Sequence, residues 1–413
     1  MTMTTIKGWV YRLRKQSNII FIKVRDEKNI TECIIKESSK KLFKLASDLT
    51  LESSIIISGE MKKKPGREGE ELVVEKLEII NIAETFPITE YQSTELLLDL
   101  RHLWIRSRKL STIFRIKSTF LQLAREFFEK QEFYEVTPPI LTGSACEGGS
   151  TLFKLDYFGQ QGYLSQSAQL YLESLIFSLK RVYALTPSFR AEKSRTTRHL
   201  AEYWHLEAEK AFCHNEENMK IQEELVSYIV QGIVKKHAED LKFLGRDPKD
   251  LECIKAPFER MSYDKAIETL QKKGVKIKWG DDLGTEDERT LTQDLKKPIF
   301  ITNYPKKIKA FYMKENPDNP KTVLCADMLG PEGYGEMIGG SERIYDLKEL
   351  EKRVKDEKLD RKEYEWYIDL RKYGSIPHSG FGLGTERVLR WICKLEHIRD
   401  TIPYPRVINR LNP

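Results

Sequence analysis

From residue 5 to about residue 83 the chain is built almost wholly of short, alternating, β-branched segments: GWVYRLRKQSNIIFIKVRD, ITECIIKE, SSIIISGEM and ELVVEKLEIINI. Successive strand side chains point to opposite faces, so each segment predicts one apolar and one polar face. The breaks between them, EKN and KKKPGREGEE, are rich in turn formers, and a single helical piece, SKKLFKLASDL, interrupts the run. About five strands and one helix in so short a stretch suit a small closed barrel. The Pro-containing stretch AETFPITEYQSTE then marks a boundary. The domains read as a barrel over 1–83, a linker over 84–97 and a second domain over 98–413.

The second domain changes period. Ile113, Ile116, Phe120, Leu123 and Phe127 recur at spacings of 3, 4, 3 and 4, which predicts a long amphipathic helix. It runs into EFYEVTPPIL, where Pro138 and Pro139 stop any helix and force extended backbone. Strand-like runs then dominate (GYLSQ, VYALTP, EYWHLEAE, PIFITNY, AFYMK, TVLCADML, GEMIGGSER), with helices between them. The reading is α+β, an antiparallel sheet flanked by helices and preceded by a barrel of the OB type. Residues 215–295 are helical and highly charged, carry no motif, and read as an insertion.

Composition removes several classes. With 32% charged and 40% hydrophobic residues the chain reads as soluble and globular, and a formal charge of +6 permits a polyanionic partner without demanding one. MTMTTIKGWV has no apolar run of signal-peptide length, and no stretch approaches the ~18 apolar residues of a membrane span. Six cysteines without any CxxC pair argue against a disulfide framework and a zinc site. The expected compartment is the cytoplasm, with no membrane association.

The chemistry concentrates between Phe189 and Glu209, FRAEKSRTTRHLAEYWHLEAE. Arg190 and Glu192 close the run VYALTPSF, a basic loop with Lys193, Arg195, Arg198 and His199 follows, and alternation then resumes. A period of two puts Tyr203, His205, Glu207 and Glu209 on one face, and Trp204, Leu206 and Ala208 on the other. Such a face beside a basic loop suits a nucleoside triphosphate and an ammonium-bearing substrate; a solvated hairpin with surface ion pairs is the plain alternative. Asp327 and Glu336 flank LGPEGYG, a hairpin tip, where two carboxylates suit Mg²⁺ with phosphate oxygens, although two unrelated strand acids fit that spacing equally well. Strict alternation sets Glu336 and Arg343 on opposite faces, so a bulge at Gly339–Gly340 is required to turn both inward. HSGFGLGTERVLRWI reads as a Gly-rich strand whose glycines admit a flat ligand or another backbone, then a helix with Thr385 near its N-cap and Arg387 in its first turn. Its GxGxG spacing and its context both fail the dinucleotide fingerprint. In the barrel, Arg12, Arg14, Lys15, Phe21, Lys23 and Arg25 alternate along the first two strands, a basic face with an aromatic that suits single-stranded nucleic acid.

In this order the pieces resemble class II aminoacyl-tRNA synthetases of the aspartate/asparagine/lysine subgroup, from GWV at residue 8 to the terminal RLNP. EFYEVTPPIL is similar to the dimer-interface motif, with its proline at Pro139; FRAEKSRTTRHLAEYWHLEAE is similar to the second motif and GFGLGTERVLRWI to the third. The resemblance implies a homodimer, ATP and Mg²⁺, an anticodon-binding barrel and a tRNA partner. It implies that Arg190 binds the α-phosphate and stabilises the pentacoordinate transition state. His199, or Arg198, would hold the γ-phosphate, with Arg387 meeting it from the other side. Tyr203, at the family's usual Phe position, would stack on adenine with Arg387 on the opposite face, and Glu192 would accept from the adenine amino group or position the tRNA acceptor end. Asp327 and Glu336 would carry Mg²⁺. Glu147 of SACEGGS, with Ser167 and Gln169 of SQSAQLYLE, would take the α-ammonium. Arg12, Arg14, Phe21 and Glu32 fall to the anticodon.

Aspartate enzymes of the subgroup carry QSPQLYKQ, whose Lys helps hold the side-chain carboxylate, and this chain reads QSAQLYLE with Leu172 in that place. Losing that cation weakens a pocket for a second carboxylate. Arg343, with Ser341 beside it, can donate to a side-chain carbonyl, and Glu207, where aspartate enzymes have Asp, can accept from a carboxamide and repel a carboxylate. SAQLYLE, AEYWHLEAE, PEGYGE and HIRDTIPYPR are similar to the asparagine branch, the archaeal kind above all, which implies asparagine and tRNA(Asn) as substrates. Two positions depart from the pattern. Glu132 stands where the first motif usually has Gly. Glu32 stands where a Gln often pairs with the middle anticodon uracil; a carboxylate accepts from N3–H but cannot donate to O4. The rivals are a non-discriminating aspartate enzyme, an asparagine synthetase (whose relatives of this kind lack the barrel) and a catalytically silent RNA-binding paralogue, whose mark would be the loss of Arg190, Arg387 or both metal carboxylates.

Overall fold

In the computed structural model, which describes residues 3–64, 66, 68–146, 151–193 and 196–413, the alternation of the first hundred residues closes into a barrel. The chain divides into two units, Met1–Leu100 and Arg101–Pro413. The first contains β1 (Thr4–Lys15), β2 (Ile19–Arg25), β3 (Ile30–Lys36), α1 (Lys40–Ser47), β4 (Ser54–Lys63) and β5 (Glu70–Asn81), and ends in the short helix α2 (Thr94–Asp99). Strand order is β1-β2-β3-β5-β4, closed by β4 on β1, with β3 and β5 parallel and the other pairs antiparallel. The inward half of the alternation (Val10, Ile20, Ile22, Ile55, Ile57, Leu72) fills the lumen, and Ala46 of α1 and Leu49 just beyond it join the same core.

The second unit runs α3 (Arg101–Trp104), α4 (Arg108–Lys130), β6 (Tyr134–Glu135), β7 (Leu141–Thr142), β8 (Lys154–Tyr157), β9 (Gln160–Leu164), α5 (Gln169–Leu179), β10 (Arg181–Phe189), β11 (Glu202–Ala211), α6 (Asn215–Phe243), α7 (Lys249–Glu252), β12 (Glu259–Ser262), α8 (Tyr263–Lys272), α9 (Thr285–Thr292), β13 (Ile299–Thr302), β14 (Cys325–Gly330), β15 (Gly335–Glu342), α10 (Leu347–Asp356), α11 (Glu365–Lys372), β16 (His378–Gly384) and α12 (Thr385–Ile392). Among the described residues the main sheet has eight strands in the order β12-β13-β14-β15-β16-β11-β10-β6, beside a small sheet β7-β9-β8. The sheet is antiparallel from β13 to β10, as expected, and each edge strand is parallel to its neighbour.

One face of this sheet is closed by helices. Ile113, Phe120 and Phe127 of α4, Leu225 and Ile229 of α6, and Leu206, Ala208, Ile338, Phe381 and Leu383 of the sheet share one core. Residues 215–295, read from sequence as an insertion, thus supply a core helix and the edge strand β12. Their period is masked because Asn218, Gln222 and Glu223 are buried along α6 with the apolar residues. With Leu206 and Ala208 committed to the core, the odd-numbered residues of β11 face the other side.

Candidate active site

The other face, partly covered by α5 through Leu172 and Ile176 against Val182 and Ala184, is ordered by two rows of strand pairing. Glu207 lies opposite Gly382, Gly382 opposite Gly339, and Gly339 opposite Asp327; one step along, Glu209, Gly380, Ser341 and Cys325 line up in the same way. The glycines of β16 are required by their neighbours. A Cβ on Gly380 would lie 2.1 Å from the Glu209 carboxyl carbon, and one on Gly382 would lie 2.5 Å from His205 Nε2. The Gly-rich strand therefore lets long β11 side chains lie across it.

The required bulge exists, but not at the glycines. Met328 pairs with Ile338 and Leu329 with Glu336, leaving Met337 as the extra residue, whereas Gly339 and Gly340 pair regularly with Asp327 and Ala326. A bulge at Met337 has the needed effect. Glu336 Oε1 and Asp327 Oδ1 come within 3.4 and 3.5 Å of the point where a Gly339 Cβ would stand, so the two carboxylates converge above that residue.

A cleft of about 540 Å³ opens over this part of the sheet, lined among others by Arg190, Glu192, Arg198, His199, Tyr203, Glu336 and Arg387. Its cations and aromatic ring suit the phosphates and base of a nucleotide. Arg190 lies 5.8 Å from the Tyr203 ring centre, and its NH1 is 3.8 Å from Glu192 Oε1. Arg387 donates to Glu336 Oε2 at 3.0 Å. Arg198 is engaged by Glu288 of α9, which also accepts the Glu336 backbone N–H at 2.9 Å. Glu288 lies in the stretch that had shown no motif. Burial, then the charges of Arg387, Arg198 and Arg190, push His199 down to about 4, so at neutral pH it offers a hydrogen bond rather than a charge.

The hairpin carboxylates differ from each other. Burial lifts Asp327 to about 6 against the pull of Lys309, whose Nζ sits 2.5 Å from Oδ2. Burial also pushes Glu336 up, but Arg387, Lys309 and Arg190 outweigh it and hold that acid at about 2. Among the described residues no three acids, histidines or cysteines cluster as a metal cage. Two converging carboxylates fit Mg²⁺, which is commonly held by one or two acids with phosphate oxygens completing its shell.

At the other end of the face the acid opposed to Arg343 is Glu209, and the expected Glu207 is a correction. Arg343 Nε and NH2 donate to Glu209 Oε1 at 2.9 and 2.5 Å, and NH1 donates to Ser341 Oγ at 2.6 Å. Glu209 Oε2 is buried with no hydrogen-bond partner among the described residues. Burial lifts Glu209 to about 8, Arg343 pulls the other way, and the charge of Glu173 adds to the rise. Glu207, one row along, accepts from Ser167 Oγ and from the Ala168 N–H, the latter at 2.7 Å, where the free amides of the α5 N-terminus favour an anion. Alternation puts both acids on this face; strand register decides which one meets Arg343.

Leu172 also needs correction. It is fully buried in a core cluster with Ala168, Ile176, Val182 and Ala184. Gln169 Nε2 donates to Glu173 Oε1 at 3.0 Å. Glu147 lies outside the described residues. Sequence reasoning missed Lys309, Glu288 and Glu173, and had left Glu209 without a role. The signal for Glu209 was present in its shared parity with Glu207; the other three need tertiary neighbours to stand out.

On the barrel, pairing aligns Arg12 with Lys23 and Glu32, and Arg14 with Phe21 and Ile34. Arg12, Arg14 and Phe21 are exposed on this face. Glu32 sits between Lys23 at 2.8 Å and Lys64 at 2.5 Å, and those two cations draw it down to about 2 despite partial burial.

Residues 93–408 match the family model described as tRNA synthetases class II (D, K and N), and residues 4–80 match that of an OB-fold nucleic acid binding domain. The chain is 52% identical over 416 residues to an asparagine–tRNA ligase of Pyrococcus abyssi, covering 99% of this chain and 95% of that one. It is 51% identical over 410 residues to an asparagine–tRNA ligase of Thermococcus gammatolerans, with the same coverage. The crystal structure of asparaginyl-tRNA synthetase from Pyrococcus horikoshii complexed with asparaginyl-adenylate superposes with a TM-score of 0.96 at 50% identity, over 100% of this chain and 96% of that one.

Proposed function

Given that the chain belongs to the class II tRNA synthetases of the aspartate, lysine and asparagine group, and within it to the asparaginyl branch, we propose that it acts as an asparagine–tRNA ligase. The asparagine α-carboxylate attacks the α-phosphorus of ATP, an O–P bond forms as the α–β anhydride breaks, and pyrophosphate leaves. The aminoacyl group then passes from the adenylate to the 3′-hydroxyl of the terminal adenosine of tRNA(Asn). Such chemistry is mostly positioning and charge neutralisation and needs no covalent nucleophile on the protein.

Arg190 neutralises the α-phosphate; Arg387, with Arg198 and the neutral His199, receives the outgoing phosphates; Tyr203 carries adenine, with Glu192 near its amino group. Asp327 and Glu336 would hold Mg²⁺, which would supply a Lewis acid for the phosphate oxygens. Ser167, Gln169 and Glu147 take the α-ammonium. On the barrel, Phe21 stacks on an anticodon base while Arg12 and Arg14 meet phosphates, and Lys23 and Lys64 supply the donors that Glu32 lacks. The protein works as a homodimer through the segment around Pro138 and Pro139, in the cytoplasm. Among the described residues no helix is long and apolar enough to cross a membrane.

The observation that carries the choice of amino acid is the Arg343–Glu209 pair. Two of the Arg343 donors are taken up by Glu209 and, where that acid is ionised, the guanidinium charge is offset as well, so it can donate to the carbonyl of a carboxamide while giving little net attraction to a carboxylate. The side-chain NH₂ meets Glu207 as an acceptor on the same face, joined by the unpartnered Oε2 of Glu209 where that acid is ionised. ATP–pyrophosphate exchange with asparagine against aspartate tests the reading. Asparagine is expected to support exchange at least about a hundredfold better in kcat/KM, and faster exchange with aspartate would overturn it.

A further inference from the structure

Behind the Arg343–Glu209 pair stands an acid that the mechanism above leaves idle. Glu173, on α5, is wholly buried, and its Oε2 receives the Tyr367 hydroxyl at 2.7 Å, Arg371 NH2 at 2.6 Å and His378 Nε2 at 2.9 Å. Gln169 satisfies its Oε1. Burial alone would neutralise such a group, but the Arg371 guanidinium and His378 outweigh it and hold Glu173 well below the usual carboxylate range. Main-chain bonds tie this network to the pocket. The His378 carbonyl accepts the Arg343 N–H at 2.9 Å, and Arg371 Nε donates to the Ile344 carbonyl at 2.8 Å. Its charge is also felt there: Glu173 raises the proton affinity of both Glu209 and Arg343. This end of the site thus sets three carboxylates, Glu173, Glu207 and Glu209, against the guanidiniums of Arg343 and Arg371 with the His378 ring alongside.

We propose that Glu173 is a specificity-determining positioning residue, a carboxylate shut away from water and met by Tyr367, Arg371 and His378, that lets the pocket take a neutral carboxamide and refuse a second carboxylate. The inference rests on the reading that the pocket binds asparagine, and it adds a source of discrimination that touches neither the substrate side chain nor the phosphates. Without the Glu173 charge, Arg371 loses its counter-ion within reach of the pocket. A bare cation in a low-dielectric interior favours an anionic ligand by a factor of about ten or more. An isosteric amide can keep its oxygen toward Tyr367 and Arg371 and, with the Gln169 amide turned over, donate its NH₂ to the Gln169 oxygen, so the charge can be removed with little change of shape.

The test is ATP–pyrophosphate exchange by the full-length protein at about pH 9, where Glu209 is mostly ionised. Glu173→Gln is expected to raise the aspartate-to-asparagine ratio of kcat/KM about tenfold or more, with the KM for ATP within about twofold of the parent. Arg371→Gln keeps the acid and removes its counter-charge, so the same ratio should fall, and this opposite sign decides the matter if the first variant does not fold. An unchanged ratio in Glu173→Gln, parallel loss with both amino acids, or a rise in Arg371→Gln would overturn the proposal, because a merely structural role lowers both substrates together. If the unmodified protein uses aspartate as readily as asparagine, the functional reading fails first, whatever the variants do.

Discussion

Single side chains decide the chemistry through charge placed before substrate arrives. Arg190 is the cation assigned to the α-phosphate, where negative charge grows in the transition state. Arg190→Ala is expected to lower asparagine-dependent exchange by about 10²–10³-fold, seen in kcat more than in the KM for asparagine, with the melting temperature little changed. Glu209 gives a pH prediction with a definite sign. Its affinity for a proton is raised to about 8, so it is largely protonated below that value and ionised above it. The protonated form can donate to a substrate carboxylate, and the ionised form repels it. Aspartate use relative to asparagine should therefore fall as pH rises from about 7 to about 9, and Glu209→Gln should flatten that profile. Exchange rates for both amino acids across that range check it. The parity of β11 could be read from EYWHLEAE, but two acids share that parity, and the one that faces Arg343 is chosen by how β11, β16 and β15 are registered.

At the scale of elements, the α4 stripe and the alternating barrel strands were legible because each repeats a geometric period against a single core. The bulge was legible as a need and not as a place. Gly339 and Gly340 were the conformationally free candidates, yet the extra residue is Met337, next to the tight turn at Gly333 and Gly335, both at positive φ. α6 was legible as a helix but not as core, since its buried polar residues break the apolar pattern. Just past α4, Glu132 adopts φ 61°, the left-handed region that glycine enters without strain. Its side chain pairs with Arg181 at 3.0 Å, largely in solvent, a contact of small value. Glu132→Gly should therefore raise stability by about 0.5–1 kcal/mol, measurable by chemical denaturation, with exchange activity unchanged.

At the scale of the whole molecule, two units have separate cores and separate tasks. A fragment spanning 101–413 is expected to retain asparagine-dependent exchange within about tenfold of the full chain, because the cleft and the amino-acid face lie wholly within it. Charging of tRNA(Asn) should fall by about 10²-fold or more, since the anticodon face is gone. Parallel aminoacylation and exchange assays on the fragment check both. The amino-acid sequence alone determined the two architectures and the order of the three signature segments, because those follow from local period and from residue type. Tertiary structure alone decided which acid neutralises Arg343, that Leu172 belongs to the core, and that Glu173, Glu288 and Lys309 stand around the site. The physical reason is that charge acts through space: the partners of a buried ion come from strands and helices remote in the chain, and their distances are set only when the sheet is registered and its helices are packed.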